Sequence, residues 1–231
     1  MVSKITNTLI GIICLFLISL CSCTKYNYID GGVAEGIHDC SMWEYFQRQT
    51  VDWDSTMIMI EHAGMKSIFD GSGPHEQITF FGITDIAIAR YMLKHNYALD
   101  QNKLAGQAVD DEDYWNKVTD IPASTCESIL KKMIVPQRLM LKDIPLGSRT
   151  KTSDGREYIE DKGTILPALS GQIFAWMDPE DYKEVEDAGA KRLFIARRLN
   201  TSSNWRVAST DIQTNTGVVQ SMGYDFEIDN F

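Results

Sequence analysis

The chain has 231 residues, 44% of them apolar and 23% charged, with 16 Gly, 6 Pro and a formal net charge of −10 at pH 7. Those proportions belong to an ordinary globular chain and exclude disordered, collagen-like and polytopic membrane classes. The acidic balance argues against nucleic acid or anionic lipid as a partner, because a phosphate-tracking surface needs a basic patch.

The first segment, MVSKITNTLIGIICLFLISLCSC, carries Lys4, an apolar run from Leu9 to Leu20, and then small residues. That run is too short to span a bilayer and has the form of the h-region of an export signal. Leu20-Cys21-Ser22-Cys23 resembles a bacterial lipobox, in which the thiol after a small residue is diacylated and becomes the new N-terminus. Cys23 is the expected lipid carrier, since choosing Cys21 puts the bulky Leu20 at the position before cleavage. Residues 1–22 are then a lipoprotein signal peptide. Removing them leaves 209 residues with a charge of −11, because the leader holds one Lys and no acid. Each buried methylene contributes about 0.8 kcal/mol, so more than one acyl chain attaches a water-folded protein stably to a membrane. Thr24, not Asp, follows Cys23, which points to the outer membrane of a Gram-negative bacterium, on either its periplasmic or its cell-surface face.

Residues 23–38 read as the lipidated N-terminus and a tether, with Gly31-Gly32 and Gly36 and no helical periodicity. At roughly 3.5 Å per residue, the stretch from Thr24 to Ile37 reaches about 50 Å when extended. The folded part, 39–231, opens on Ser41-Met42-Trp43-Glu44, the spacing of a capping box. A second helix is expected from Asp54 to Phe69, with Met57, Ile60, Gly64 and Ile68 on one face, stopped by Asp70-Gly71-Ser72-Gly73-Pro74. Ile78 to Ile83 reads as a strand, and Thr84 or Asp85 to Asn96 as a helix. Residues 97–119 are polar and acidic and read as an insertion. Ser124-Thr125-Cys126-Glu127 has the spacing of another capping box, opening a helix that must end before Pro136. Beyond Leu139, turn signals at Asp154-Gly155, Lys162-Gly163, Ser170-Gly171 and Asn215-Thr216-Gly217 separate strand-like runs. Between them, Asp178-Pro179-Glu180 predicts a short acidic helix to Asp187. Helices first and strands last, without βαβ alternation, indicate an α+β class.

This order of pieces resembles the fasciclin-like domain family. Asp54-Ser55-Thr56-Met57 through Glu61-His62-Ala63-Gly64-Met65 and Phe69-Asp70-Gly71 is similar to the family's first long helix. Thr79 through Ile88 resembles its first signature, a strand entering a helix capped by Thr and Asn or Asp, with Ile83 where that pattern has Pro. Ile129-Leu130 through Ile134-Val135-Pro136, Thr164-Ile165-Leu166 through Leu169-Ser170-Gly171, and Asp211-Ile212 through Gly217-Val218-Val219 resemble three further segments in the same order. The resemblance implies a fold of helices packed around a wedge of β-sheets. It also implies an extracytoplasmic adhesion or interaction role with no catalysis. Lys132-Met133 replaces the family's Tyr-His, and Gln220 its last His, so adhesion through that pair does not transfer directly. Asp211-Ile212 matches an aspartate–isoleucine core linked to receptor binding in animal members. In this chain Asp211 is expected mainly to terminate a strand and secondarily to contact a partner.

Catalytic and metal signatures are weak. His38, His62, His75 and His95 lack zinc-ligand spacing, and there is no Gly-x-Ser-x-Gly elbow. Asp110-Asp111-Glu112-Asp113 lacks the Gly and terminal Glu of a calcium loop and reads as a solvated acidic loop. No cofactor or metal is therefore expected. The expected partners are the membrane, through the lipid, and a cell-surface protein or a glycan. Trp43 reads as core. Tyr114-Trp115 in the acidic insertion, and Trp205 in the polar Asn200-Thr201-Ser202-Ser203-Asn204 loop, are expected to be exposed and are the candidate sugar-stacking residues. They support an alternative role as a carbohydrate-binding accessory lipoprotein of an outer-membrane nutrient-uptake system. Cys40 and Cys126, the thiols outside the leader, are expected to be buried and reduced.

Overall fold

The computed structural model describes residues 36–231 apart from 152–156, 161–162, 180–188 and 198–199. Cys23 and the leader lie outside these residues. The chain joins the fold at Gly36, three residues earlier than expected: Gln213 donates its amide to the Gly36 carbonyl (2.8 Å) and accepts from His38 (2.9 Å).

Ser41 caps α1 (Met42–Arg48) with the full capping box, its hydroxyl accepting from the Glu44 amide while Glu44 accepts from the Ser41 amide. The single helix expected over 54–69 is two, α2 (Thr50–His62) and α3 (Lys66–Asp70). Gly64 causes the break. It adopts φ 67°, and the Gly64 and Met65 amides donate back to Glu61 and Ile60 (3.0 Å each), closing a left-handed helix end.

Strand β1 (Ile78–Gly82) is fully buried and leads into α4 (Asp85–Leu104), which runs eight residues past its expected end. The start of the presumed insertion is therefore the last two turns of α4. The remainder is a loop holding two short 3₁₀ turns. Helix α5 (Ala123–Met133) is capped two residues before the expected Ser124, by Pro122, whose carbonyl accepts from Thr125 and Cys126. Ser124 thus lies inside the first turn and caps nothing. Helix α5 buries Cys126, Ile129, Leu130 and Met133 and passes directly into β2 (Ile134–Val135).

The later strands are β3 (Ser148–Lys151), β4 (Glu157–Glu160), β5 (Thr164–Pro167), β6 (Gln172–Pro179), β7 (Lys191–Arg197), β8 (Asn200–Thr214) and β9 (Gly217–Met222). Seven of the described strands form one mixed sheet in the order β2-β1-β9-β8-β7-β6-β5, in which β1 and β9 are parallel and the other neighbours antiparallel. Strands β3 and β4 form a separate hairpin. Asp178 and Pro179 do not open a helix: they end β6, opposite Arg192 and Lys191. The rest of that expected helix and the Asp154-Gly155 turn fall outside the described residues.

Strand β8 builds the wedge. Around Asn204–Arg206 it pairs with β7, and from Val207 to Thr214 with β9, with register shifts between Val207 and Ser209 and again between Ser209 and Ile212. Such bulges bend a strand sharply, so one strand serves both halves of the sheet. The helices cover one side of it, closing a core in which Phe46 contacts Trp53, Phe69 and Phe80 at ring separations of 4.8–6.1 Å. Cys40 and Cys126 are both buried and unbridged, and burial pushes the Cys126 thiol up to about 11.

Candidate functional site

The four residues proposed from the sequence fall in three neighbourhoods, with Tyr114 and Trp115 together on one loop. Trp205 does not lie in a polar loop but inside β8. It is only 8% exposed, its ring meeting Phe226 and Phe231 edge-on at 5.6 and 5.5 Å. A stacking platform needs at least one ring face open to solvent, and this ring offers neither to a sugar. Trp115 is half-buried and stacks on His95 with the planes 4° apart and 3.5 Å between centroids. Asn96 clamps its backbone, donating to the Trp115 carbonyl and accepting from its amide, both at 2.9 Å. Tyr114 donates its hydroxyl to Asp100 (2.8 Å), and that bond raises the phenol above its ordinary value. Tyr114 and Trp115 therefore fasten the loop to α4.

Asp211 does not terminate a strand. It sits at the second bulge of β8 with φ 59°, the positive-φ non-glycine among the described residues. Its carboxylate accepts from the Leu141 amide (2.7 Å) and from the Gln220 side chain (3.1 Å), while its own amide donates to Gln220 Oε1 (3.0 Å). Gln220, almost fully buried, also donates to the Leu139 carbonyl.

Among the described residues, concave surfaces lie elsewhere, beside the segment 226–231. Phe226, Ile228 and Phe231 insert into the core, while Glu227 and Asp229 turn toward Arg90 and Lys94 of α4. The Asp229 carboxylate raises the Lys94 ammonium above its ordinary value. On the α4 side of this segment is a cavity of about 240 Å³ over Ala87 and Phe226. On the α5 side an open cavity of about 420 Å³ presents Ser124, Thr125, Ser128 and Lys132 opposite Tyr91 and Asp229. Hydroxyls, one ammonium and one carboxylate around an aromatic ring suit hydrogen bonding to a polar chain. Lys132, in the segment whose sequence resembles the fasciclin-like pattern, borders this cavity, and the following Met133 is buried.

The sequence reading missed this face. Its signal was the spacing of Phe226, Ile228 and Phe231, apolar anchors separated by acids. Arg138 was also missed. It donates to Gln77, Gln213 and the carbonyls of Thr214 and Gly217 at 2.8–3.2 Å, tying the β8–β9 turn to the loop after β2. Among the described residues no group of three or more His, Cys, Asp or Glu is placed to hold a metal ion, and no helix is long and apolar enough to cross a membrane.

No family model matches the sequence, and no curated protein matches it. A solved structure of a FAS1 domain pair from the insect cell adhesion molecule fasciclin I is similar, with a TM-score of 0.51 and 13% identity over 83% of this chain. The match covers 52% of that structure, so the chain spans about half of its length. At this identity the likeness concerns architecture: helices against a mixed seven-stranded sheet, the α+β fold of a FAS1 domain.

Proposed function

We propose that the protein is a lipid-anchored, extracytoplasmic interaction module without catalytic activity, and that it engages a cell-surface partner through the α5 face. The FAS1 fold supports the interaction role, and the leader ending in Leu20-Cys21-Ser22-Cys23 supports the anchor. The hydroxyl-lined cavity beside Ser128 and Lys132 supplies the contact surface, at the position of the family's Tyr. Anchoring at Cys23 holds the module within about 50 Å of the outer membrane.

The test is adhesion of cells displaying the full chain to cells and surfaces from the same habitat, against cells lacking it. Replacing both Ser128 and Lys132 by Glu is expected to lower adhesion at least ~10-fold while leaving the unfolding midpoint near its starting value, since both side chains border solvent. Undiminished adhesion by that variant removes the α5 face from the proposal. Enzyme-like turnover of glycosides, esters or peptides by the purified chain removes the proposal itself. A glycan partner is the second reading. With Trp205 buried and Trp115 covered by His95, Tyr97 and Tyr224 are the exposed large rings among the described residues. Glycan-array binding lost in Tyr224→Ala supports it.

A further inference from the structure

Helix α4 has two unlike faces. One packs on the core through Ala87, Ile88, Tyr91 and Met92. The opposite face carries Ile86, Arg90, Leu93, Tyr97, Asp100 and Leu104, in alternating steps of four and three residues. At 100° per residue these six fall within about 40° of one line along the helix. Four are large apolar side chains left open to solvent: Ile86 is 45% exposed, Leu93 67%, Tyr97 64% and Leu104 80%. The spacing is that of a coiled-coil seam, which an ordinary surface helix has no reason to carry on its outer side.

The order of residues along the seam selects its partner. It is symmetric in kind about position 95: Ile86 mirrors Leu104, Arg90 mirrors Asp100, and Leu93 mirrors Tyr97. Two copies of α4 laid antiparallel about a two-fold axis at that position place Ile86 against Leu104 of the second copy, Leu93 against its Tyr97, and Arg90 against its Asp100. Each apolar layer meets an apolar layer, and each of the two Arg90 side chains meets a carboxylate. A parallel pairing instead sets Arg90 against Arg90 and Asp100 against Asp100, two like-charge contacts that oppose it. Lys94 flanks the middle of the seam, where its counterpart approaches, but its charge is offset by Asp229 and Glu227. A closed, self-complementary interface of this kind needs no second protein.

We infer that the protein forms an antiparallel homodimer through the outer face of α4, with reciprocal Arg90–Asp100 pairs fixing its register. Helix α4 is about 30 Å long, enough for six layers of contact. The acidic chain and the two charged members within the stripe disfavour an anionic membrane as its cover.

The experiment uses the full chain in the membranes of producing cells, with Tyr97→p-benzoylphenylalanine as a photo-crosslinker. Irradiation is expected to give a dimer of the chain whose joined peptides connect position 97 to the stretch around Leu93 of the second copy. Arg90→Glu and Asp100→Arg alone should each lower the dimer yield about fivefold or more, and the two together should restore it, because the reversed pair is again complementary. Arg90 also donates to the Tyr224 carbonyl and pairs with Glu227, and Asp100 accepts from Tyr114, so Leu104→Glu, at an 80% exposed side chain, serves as a change that touches none of these contacts. It should lower the yield as well. Cross-links to lipid, to another protein without any chain dimer, or to a segment away from α4 overturn the inference. So does a double charge reversal that fails to regain the dimer.

Discussion

At the scale of single residues, the departures from the family pattern have structural answers. A non-glycine residue at φ 59° costs about 1–2 kcal/mol of backbone strain, yet Asp211 holds that conformation because three hydrogen bonds converge on it. Gln220 supplies two of them, with both ends of its amide engaged, and a His at this position cannot donate and accept from one terminal group in the same way. The aspartate thus orders a bulge. Asp85 is a second half-buried carboxylate with a structural task. It accepts from the amides of Asp54, Ser55 and Thr56 and so ties the start of α4 to α2. Burial outweighs these bonds and holds its pKa above the ordinary 3.8. The unfolded chain therefore loses this proton first as pH rises, and stability falls from pH 3.8 upward until the folded carboxyl has ionised as well. Asp85→Asn keeps an acceptor for Ser55 and Thr56 and removes the charge. Urea unfolding between pH 3 and 7 is expected to show the variant gaining on the parent as pH rises. A difference that stays flat, or moves against Asn, would mean that the carboxylate is stabilised in place.

Whole elements show which physics a sequence carries openly. A capping box is a local device, so α1 was legible at Ser41. The Gly64 break and the Pro122 start are local too, but each competes with a periodic pattern or a nearby Ser that reads more loudly. Strand β8 was misread because Asn200 to Asn204 has the composition of a loop. Its signal was the alternation that follows, with Trp205 and Val207 buried between exposed Asn204, Arg206 and Ala208. What covers Trp205 was illegible, because Phe226 and Phe231 reach it only through tertiary packing. That packing sets the next expectation. Phe226 is 1% exposed and touches both rings, so Phe226→Ala should destabilise the fold by about 3–5 kcal/mol. Glu227, next to it, makes exposed ion pairs with Arg90 and Lys94 and accepts from the exposed Asn230 side chain, and Glu227→Gln should change stability by less than about 1 kcal/mol. Equilibrium unfolding of the two variants compares them directly. Similar losses would show that charge, and not burial, fastens the segment 226–231.

For the molecule as a whole, five weak segment likenesses in one order were enough to anticipate the FAS1 architecture, because a fold is fixed by the sequence of elements and their buried faces. The proposed contact face was not anticipated, since Tyr91 of α4 and Asp229 near the C-terminus reach Ser124 and Lys132 of α5 only through tertiary packing. The proposed attachment to the membrane rests on different physics, a covalent lipid and not a folded surface. One acyl chain binds a membrane only marginally, whereas several, at about 0.8 kcal/mol per buried methylene, hold against the solubility of a chain with a charge of −10. The carrier is therefore decisive, and Cys21 and Cys23 are separated by a single Ser. Cleavage needs a small residue before the modified thiol: Ser22 meets this for Cys23, and Leu20 fails it for Cys21. In a Gram-negative host fed labelled palmitate, the parent chain and Cys21→Ser are expected to incorporate label and to partition with detergent. Cys23→Ser should do neither as a mature protein. Label kept by Cys23→Ser and lost by Cys21→Ser would move the anchor to Cys21, and label in none of the three would leave an uncoupled export signal in place of a lipid anchor.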